Sequence, residues 1–520
     1  MLLHTREVSA RDSARDTPMA IVITAPKRYP KRYPKHHPEA APGDGTTHAQ
    51  HTHQSTHYAR HNAPESTLMT ALRFNAFVMN TGSHIQHGQW RHPDARQADF
   101  NDVEVWIDLV KTLERGKFDA VFFADVVGLY GPADSPYVLN AREGLQIPSN
   151  DPSVLLSALA VNTEHLGLAF TSGVLQEHPF NFARQVSTLD HISKGRIAWN
   201  IVTGTMENAA RNFGYDALTE HDERYEWARE YVDVTYKLWE GSWDDGALVR
   251  DRESGIYADA SKIHKIYHEG KRYKVEGPHL PSPSPQRTPV LYQAGSSAAG
   301  KAFAAANAEA VFIAAPSPEV AAEGIAETRA LAVAAGRNPD DIKFFQGLTF
   351  VIGRTEEEAR AKEAELDEFA SLDGYLTHMN FGTKPDGTPY PPETRLVDIK
   401  TNASQGILQW LSRAITDREP TVADLGAILS RRGRVVGTPE QIADQLEVWR
   451  AAGVDGINIT NWRIPSSYEE FIDEVVPVLQ RRGLAQTEYT PGTLRQKLFG
   501  TDLLNERHPA ARYRGAFGEK

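Results

Sequence analysis

The sequence predicts an α/β protein of the closed (β/α)8 barrel class, and three observations carry that prediction. Eight short apolar segments recur along the chain, and each is followed by a helical pattern. No GxGxxG turn follows the first of them, so the usual mark of an open doubly wound sheet is missing. Several segments end on small polar or acidic residues, and a parallel barrel gathers such C-terminal strand ends on one face.

Residues 1–70 form a separate compositional zone. They hold the repeat KRYPKRYPKHHP and eight of the chain's twenty histidines, with almost no apolar periodicity. The zone reads as a disordered extension. Its histidines suggest at most weak metal binding, and Met69 lies just before the first strand. Barrel logic starts at LRFNAFVM from Leu72 and occupies residues 71–485. Val103, Trp106, Val110 and Leu113 then recur at helical spacing. FDAVFFAD (Phe118–Asp125) is the second strand, SVLLSALAVNT a helix, and LGLAFTSG the third strand. PFNFARQVSTLDHI is a helix that leads into the fourth strand, RIAWNIV.

The alternation resumes with PVLYQA, EAVFIAA, KFFQGLTFVIG and GINIT, separated by helices. Thr438 and Gln441 form a capping box with Pro439 at the first helical position. Two segments, about 240–287 and 371–434, are too long for ordinary loops. The second is expected to be structured and to lie as a lid over the barrel mouth. The polar tail, 486–520, is expected to wrap the surface.

Composition narrows function. Lys+Arg 56 against Asp+Glu 68 gives a net charge of -12, the wrong sign for a protein that neutralises phosphate backbones. With no cysteine, disulfides, thiolate catalysis and thiolate metal sites are excluded. No run is long enough for a transmembrane helix, and a cytoplasmic protein is expected.

The candidate chemistry sits at the strand ends. Asp125 closes strand two, Thr171 and Ser172 strand three, and Thr203 and Gly204 strand four. GSSAAG from Gly295 follows strand five. Its hydroxyls suit a phosphate at a helix start, although Ser296 as a plain helix cap is the commoner arrangement. His221 and Tyr225 are four apart and share a helix face; the bland alternative is a satisfied structural histidine. His178 reads as a cap, and His84 and His87 lie in a polar loop. HDERY does not fit HExxH, so a zinc hydrolase is excluded on its own motif and no metal site is expected.

The runs TLERGKFDAVFFAD and LGLAFTSGVLQEHPFNFARQVSTLDHISKGRIAWNIVTG, then ARNFG, EHDERY, QAGSS and GTPEQIAD, resemble the bacterial luciferase-like flavin monooxygenases. Within that family they are most similar to the branch of nitrilotriacetate monooxygenase, dibenzothiophene-sulfone monooxygenase and the pristinamycin synthase large component. The resemblance implies a homodimeric or homotetrameric barrel that receives reduced FMN from a separate NAD(P)H-dependent flavin reductase. With O2 the flavin would form a C4a-(hydro)peroxyflavin that oxygenates a small sulfur- or nitrogen-containing substrate and cleaves a C–S or C–N bond. A long-chain alkane monooxygenase, a flavin-modifying lyase or a non-catalytic flavin-binding protein are the alternatives on the same scaffold. The resemblance implies FMN contacts at Asp125, Thr171, Asn200, Thr203, His221, Tyr225, Ser296 and Ser297. On the substrate side it implies catalytic roles for His84, His87 and His378.

Overall fold

The computed structural model describes residues 71–518, apart from 132–133, 135, 381–382, 400–414 and 416–417. The reading of residues 1–70 and part of the second insertion therefore lie outside the described residues. Eight parallel strands form the barrel: β1 Arg73–Met79, β2 Ala120–Ala124, β3 Gly167–Gly173, β4 Ile197–Val202, β5 Val290–Gln293, β6 Ala310–Ile313, β7 Lys343–Ile352 and β8 Gly456–Thr460. Each pairs with the next, and β8 pairs with both β7 and β1, so the ring is closed. These bounds fall inside the eight apolar segments. Alternation in the closed sheet does the sorting: Trp199 and Ile201 of β4 face the helices, while Ala198 joins Phe77, Phe122 and Tyr292 in the barrel interior.

The helices start where their caps dictate. Thr438 accepts from Gln441 N, and Gln441 bonds back to the Thr438 N–H, completing the capping box of helix Pro439–Ala451. His178 caps helix Pro179–Ser193 through Phe180 N. Helix Ala298–Asn307 is capped by Ser297, whose Oγ accepts from Gly300 N, not by Ser296. The reason is spacing, since Ser297 is the residue whose hydroxyl reaches the N3 amide.

Three features go beyond what the sequence predicts. The tail does run over the outer surface, where Arg507 pairs with Asp341 and Arg512 with Asp233, but its helix Leu494–Phe499 also closes the barrel's N-terminal end. Leu494 and Leu498 pack in the interior cluster, and a Cβ on Gly167 would lie 2.7 Å from Leu494 Cδ1. Arg495, fully buried, bonds Glu309 at 2.7 and 2.9 Å and the Pro289 carbonyl at 2.8 Å. A polar-looking tail hid this because its apolar residues are few and spaced for one short helix.

The insertion 240–287 runs along the barrel's outer wall. Its hairpin, His268–Glu269 with Lys274–Val275, docks on helix His221–Tyr236, where Glu230 accepts from the amides of Arg272 and Tyr273 at 2.9 and 2.8 Å. Finally, a ninth strand, Arg434–Gly437, pairs in parallel with Thr349–Ile352. β7 is ten residues long, and its barrel neighbours pair only as far as Leu348. The protruding ladder groups need partners, and the extra strand supplies them.

Arg495→Ala strips the buried Glu309 of its countercharge. The expected loss is about 3–5 kcal/mol of folding stability, read as a lowered urea midpoint.

Candidate functional site

With one end of the barrel stoppered, the C-terminal mouth is where the candidate residues meet. Asp125 follows β2 and lines two adjoining cavities, of about 680 and 210 Å3. The smaller runs from Asp125 past Thr203 and Gly204 to Tyr225 and Gln293. Thr171 lines the larger. Below them Asn200, on the register position opposite Thr171, donates from Nδ2 to Thr171 Oγ1 at 3.0 Å. Thr171 Oγ1 donates in turn to the Phe123 carbonyl at 3.0 Å. Asn200 is buried, and its Oδ1 has no protein partner, a cost unless a ligand supplies a donor.

Beyond Tyr225, His221 Nε2 lies 3.2 Å from Ser297 Oγ, and the His221 and Tyr225 rings are 5.2 Å apart, edge to face. Glycine makes this corner possible. A Cβ on Gly300 would come within 2.8 Å of the Tyr225 hydroxyl, and one on Gly295 within 3.1 Å. The phenol therefore rests on the first turn of helix Ala298–Asn307, whose free amides favour an anion. His221 and Ser296 are exposed and Ser297 is partly so. The structure thus brings Asp125, Thr203 and Tyr225 to one cavity, sets His221 and Ser297 at its end, and leaves Ser296 further out.

The three histidines form a different group. His87 is fully buried, with Ser83 Oγ 3.1 Å from Nδ1 and His378 Nδ1 2.8 Å from Nε2. His378 belongs to the second insertion, on helix Leu372–His378. That helix lies close because Gly374 lacks a Cβ, which would meet His87 Cβ at 2.8 Å. His84 instead rests against Phe77, ring centroids 4.9 Å apart. None of the three lines either large cavity. The link is Gln146, which lines the larger cavity, approaches His378 Nε2 at 3.4 Å and accepts from the Tyr130 hydroxyl at 3.0 Å.

Sequence reasoning missed Gln146, Tyr130 and Gln176, which sit in irregular segments; only Gln176 lies within a quoted motif run. Gln176 receives the Ser172 hydroxyl at 2.9 Å and lines both cavities. Its place in QEH, just after β3, is the one signal that could have found it.

Burial sets the protonation states. It lowers His378 to about 4 and, aided by the nearby His378, His84 to about 3. His87 is lowered for the same reasons. Burial and then the Asp151 carboxylate push Asp125 up to about 7. The mouth thus favours neutral forms of acid and base alike.

Comparison with known proteins places the chain among its relatives. Residues 79–456 match the family model described as luciferase-like monooxygenase. The long-chain alkane monooxygenase of Geobacillus thermodenitrificans (strain NG80-2) is 44% identical over 451 residues, 85% of this chain and 98% of that protein. The dimethyl-sulfide monooxygenase of Hyphomicrobium sulfonivorans is 44% identical over 455 residues, covering 85% and 94%. A riboflavin lyase solved with modified FMN and riboflavin superimposes with a TM-score of 0.78 at 38% identity, over 86% of this chain and 100% of that one. The expected branch is represented as well, by the dibenzothiophene-sulfone monooxygenase of Rhodococcus erythropolis and by nitrilotriacetate monooxygenase component A of Aminobacter aminovorans.

The imidazoles and Asp125 respond oppositely to pH. His378 and His84 stay neutral in the folded protein at pH values where the unfolded chain, near 6.5, takes up protons. Their contribution is whole above pH 6.5 and is lost as pH falls toward 4, at a slope on the order of 1 kcal/mol per pH unit per group. Asp125 holds its proton longer when folded, so its contribution is whole below 3.8 and is lost as pH rises through about 7. Urea midpoints between pH 4 and 8 check both: His378→Gln flattens the acid limb, and Asp125→Asn flattens the neutral one.

Proposed function

This chain belongs to the luciferase-like monooxygenase family, and from that premise we propose that it is an FMN-dependent monooxygenase that oxygenates a small sulfur- or nitrogen-containing organic substrate and cleaves a C–S or C–N bond. The observation that carries this reading is the continuous run of Asp125, Thr203 and Tyr225 along one cavity, ending at His221 and Ser297. Reduced FMN, when bound, supplies two electrons to O2, so that one oxygen atom enters the substrate and the other leaves as water.

The residues fit such a cofactor. The glycine-cleared corner of Ser297, His221 and Tyr225 offers hydroxyls and helix amides to a phosphate. The unpartnered Asn200 Oδ1 and the raised Asp125 carboxyl give one acceptor and one donor for a polar ring edge. Leu175, Ile201, Val202 and Met206 line the same cavity and keep water from the reacting centre. His378 and His87, neutral and bonded to each other, hold a proton between them at the far side of Gln146. In this reading they orient Gln146, and His84 stands apart against Phe77.

The proposal includes a separate NAD(P)H-dependent flavin reductase as the source of reduced FMN, in the cytoplasm. One relative is itself named as component A of its enzyme. It also includes a homodimer or homotetramer. Val154 and Val161, 72% and 73% exposed, lie seven residues apart on one face of helix Pro152–Val161, an apolar stripe suited to a second copy. Oxygenation of an alkane is a second reading, favoured by the apolar wall of the smaller cavity and the 44% identical alkane monooxygenase.

Ser297→Ala and Tyr225→Phe are each expected to weaken FMN binding by about tenfold, roughly the loss of one good hydrogen bond to a charged group, as read by quenching of flavin fluorescence. The activity itself is tested with a flavin reductase, NADH, FMN and 18O2 against sulfides, sulfones, amines and alkanes. One labelled atom in the product is expected. Protein that binds neither oxidised nor reduced FMN overturns the reading.

A further inference from the structure

The larger cavity carries a specificity that family membership leaves open. It encloses about 680 Å3, within the range of small-molecule sites. Its wall includes Asp125, Asp151 and Glu177 and, among the described residues, neither lysine nor arginine. Leu129, Ile147, Phe170 and Phe213 make much of the remainder apolar. Several hydrogen-bond donors on the wall are already committed. Thr171 Oγ1 gives its proton to the Phe123 carbonyl, Gln185 Nε2 donates to Ser153 Oγ at 2.7 Å, and Ser172 Oγ donates to Gln176.

The acidic groups differ in what they present. Asp151 Oδ1 accepts from Ser153 N at 2.8 Å, and Glu177 Oε1 accepts from Asn181 Nδ2 at 2.7 Å. Among the described residues, neither is paired with a cation. Burial and the neighbouring Asp151 push Asp125 up to about 7, and Asp151 and Glu177 are the other acidic side chains on the wall. An anion entering here would shed its hydration against apolar wall, find no countercharge, and meet two carboxylates.

We propose that this cavity is the substrate chamber and that it takes an uncharged organic substrate while excluding carboxylates and sulfonates. The proposal rests on the flavin-monooxygenase reading and sharpens it. It sets the chain apart from relatives named for polycarboxylates, although they share its fold. Asp125 and Gln176, which line both cavities, then stand between cofactor and substrate.

The test uses full-length protein loaded with FMN and paired probes that differ by one charge: a dialkyl sulfide against its ω-carboxylate analogue, and a dialkyl sulfoxide against its own. Binding is read from the perturbed absorbance of bound FMN. At low salt the uncharged member of each pair is expected to bind about tenfold tighter. Asp151 is exposed, so the ratio should shrink as ionic strength rises. Glu177→Gln with Asp151→Asn, where Asn still caps the helix, should bring the ratio close to one. Equal or tighter binding of the carboxylates overturns the proposal, as does a ratio unmoved by the substitutions, or the failure of every uncharged probe to perturb the flavin. Failure to bind FMN at all would instead overturn the flavin reading beneath it.

Discussion

A barrel has two open ends, and the buried pair between Arg495 and Glu309 decides which of them can hold a ligand. Glu309 receives both guanidinium bonds and also accepts from Leu291 N at 3.1 Å. The pair therefore ties the tail to β5 and β6 at once. With Leu494 and Leu498 drawn into the interior, the N-terminal end is filled by side chains. The two cavities that Asp125 lines lie at the opposite, C-terminal mouth, where the strand ends place their polar residues.

The upper end is shaped by the length of β7. Because it outruns its neighbours, it recruits Arg434–Gly437 as a partner, and that strand fixes the C-terminal root of the second insertion. The insertion folds around its own cluster, Tyr375, Leu376, Leu396 and Leu425 among it. It meets the β1 loop through Ser371 N to the His87 carbonyl at 3.0 Å and Tyr375 Oη to Gln86 Oε1 at 2.8 Å. The contact between His87 and His378 belongs to this seam. It joins two parts of the chain nearly three hundred residues apart, and it reaches the cavity only through Gln146.

Desolvation gives the mouth a consistent electrostatic character. The same loss of water that strips protons from the imidazoles keeps one on Asp125. Below about pH 7 the inner site is nearly uncharged, and the other acidic side chains, Asp151 and Glu177, stand on the wall of the larger cavity. A neutral, water-poor centre suits chemistry in which premature proton transfer would waste the activated oxygen.

Much of this was legible in the chain. The eight strands, the capping box at Thr438 and the polar residues closing β2, β3 and β4 follow from local pattern, because strand and cap signals are short-range. The family motifs RIAWNIVTG, EHDERY and QAGSS identified the protein's relatives for the same reason: each is contiguous. Asp125, Thr203, Tyr225 and Ser297 meet at the mouth because of barrel closure, which the eightfold alternation and the missing GxGxxG turn predict. Tertiary structure alone decided that Ser297 rather than Ser296 caps its helix, that Arg495 is buried, that the first insertion lies outside, and that His87 reaches His378 while His84 rests on Phe77. Those outcomes depend on which distant segments approach within a few ångströms, and long-range packing leaves no periodic trace in the sequence.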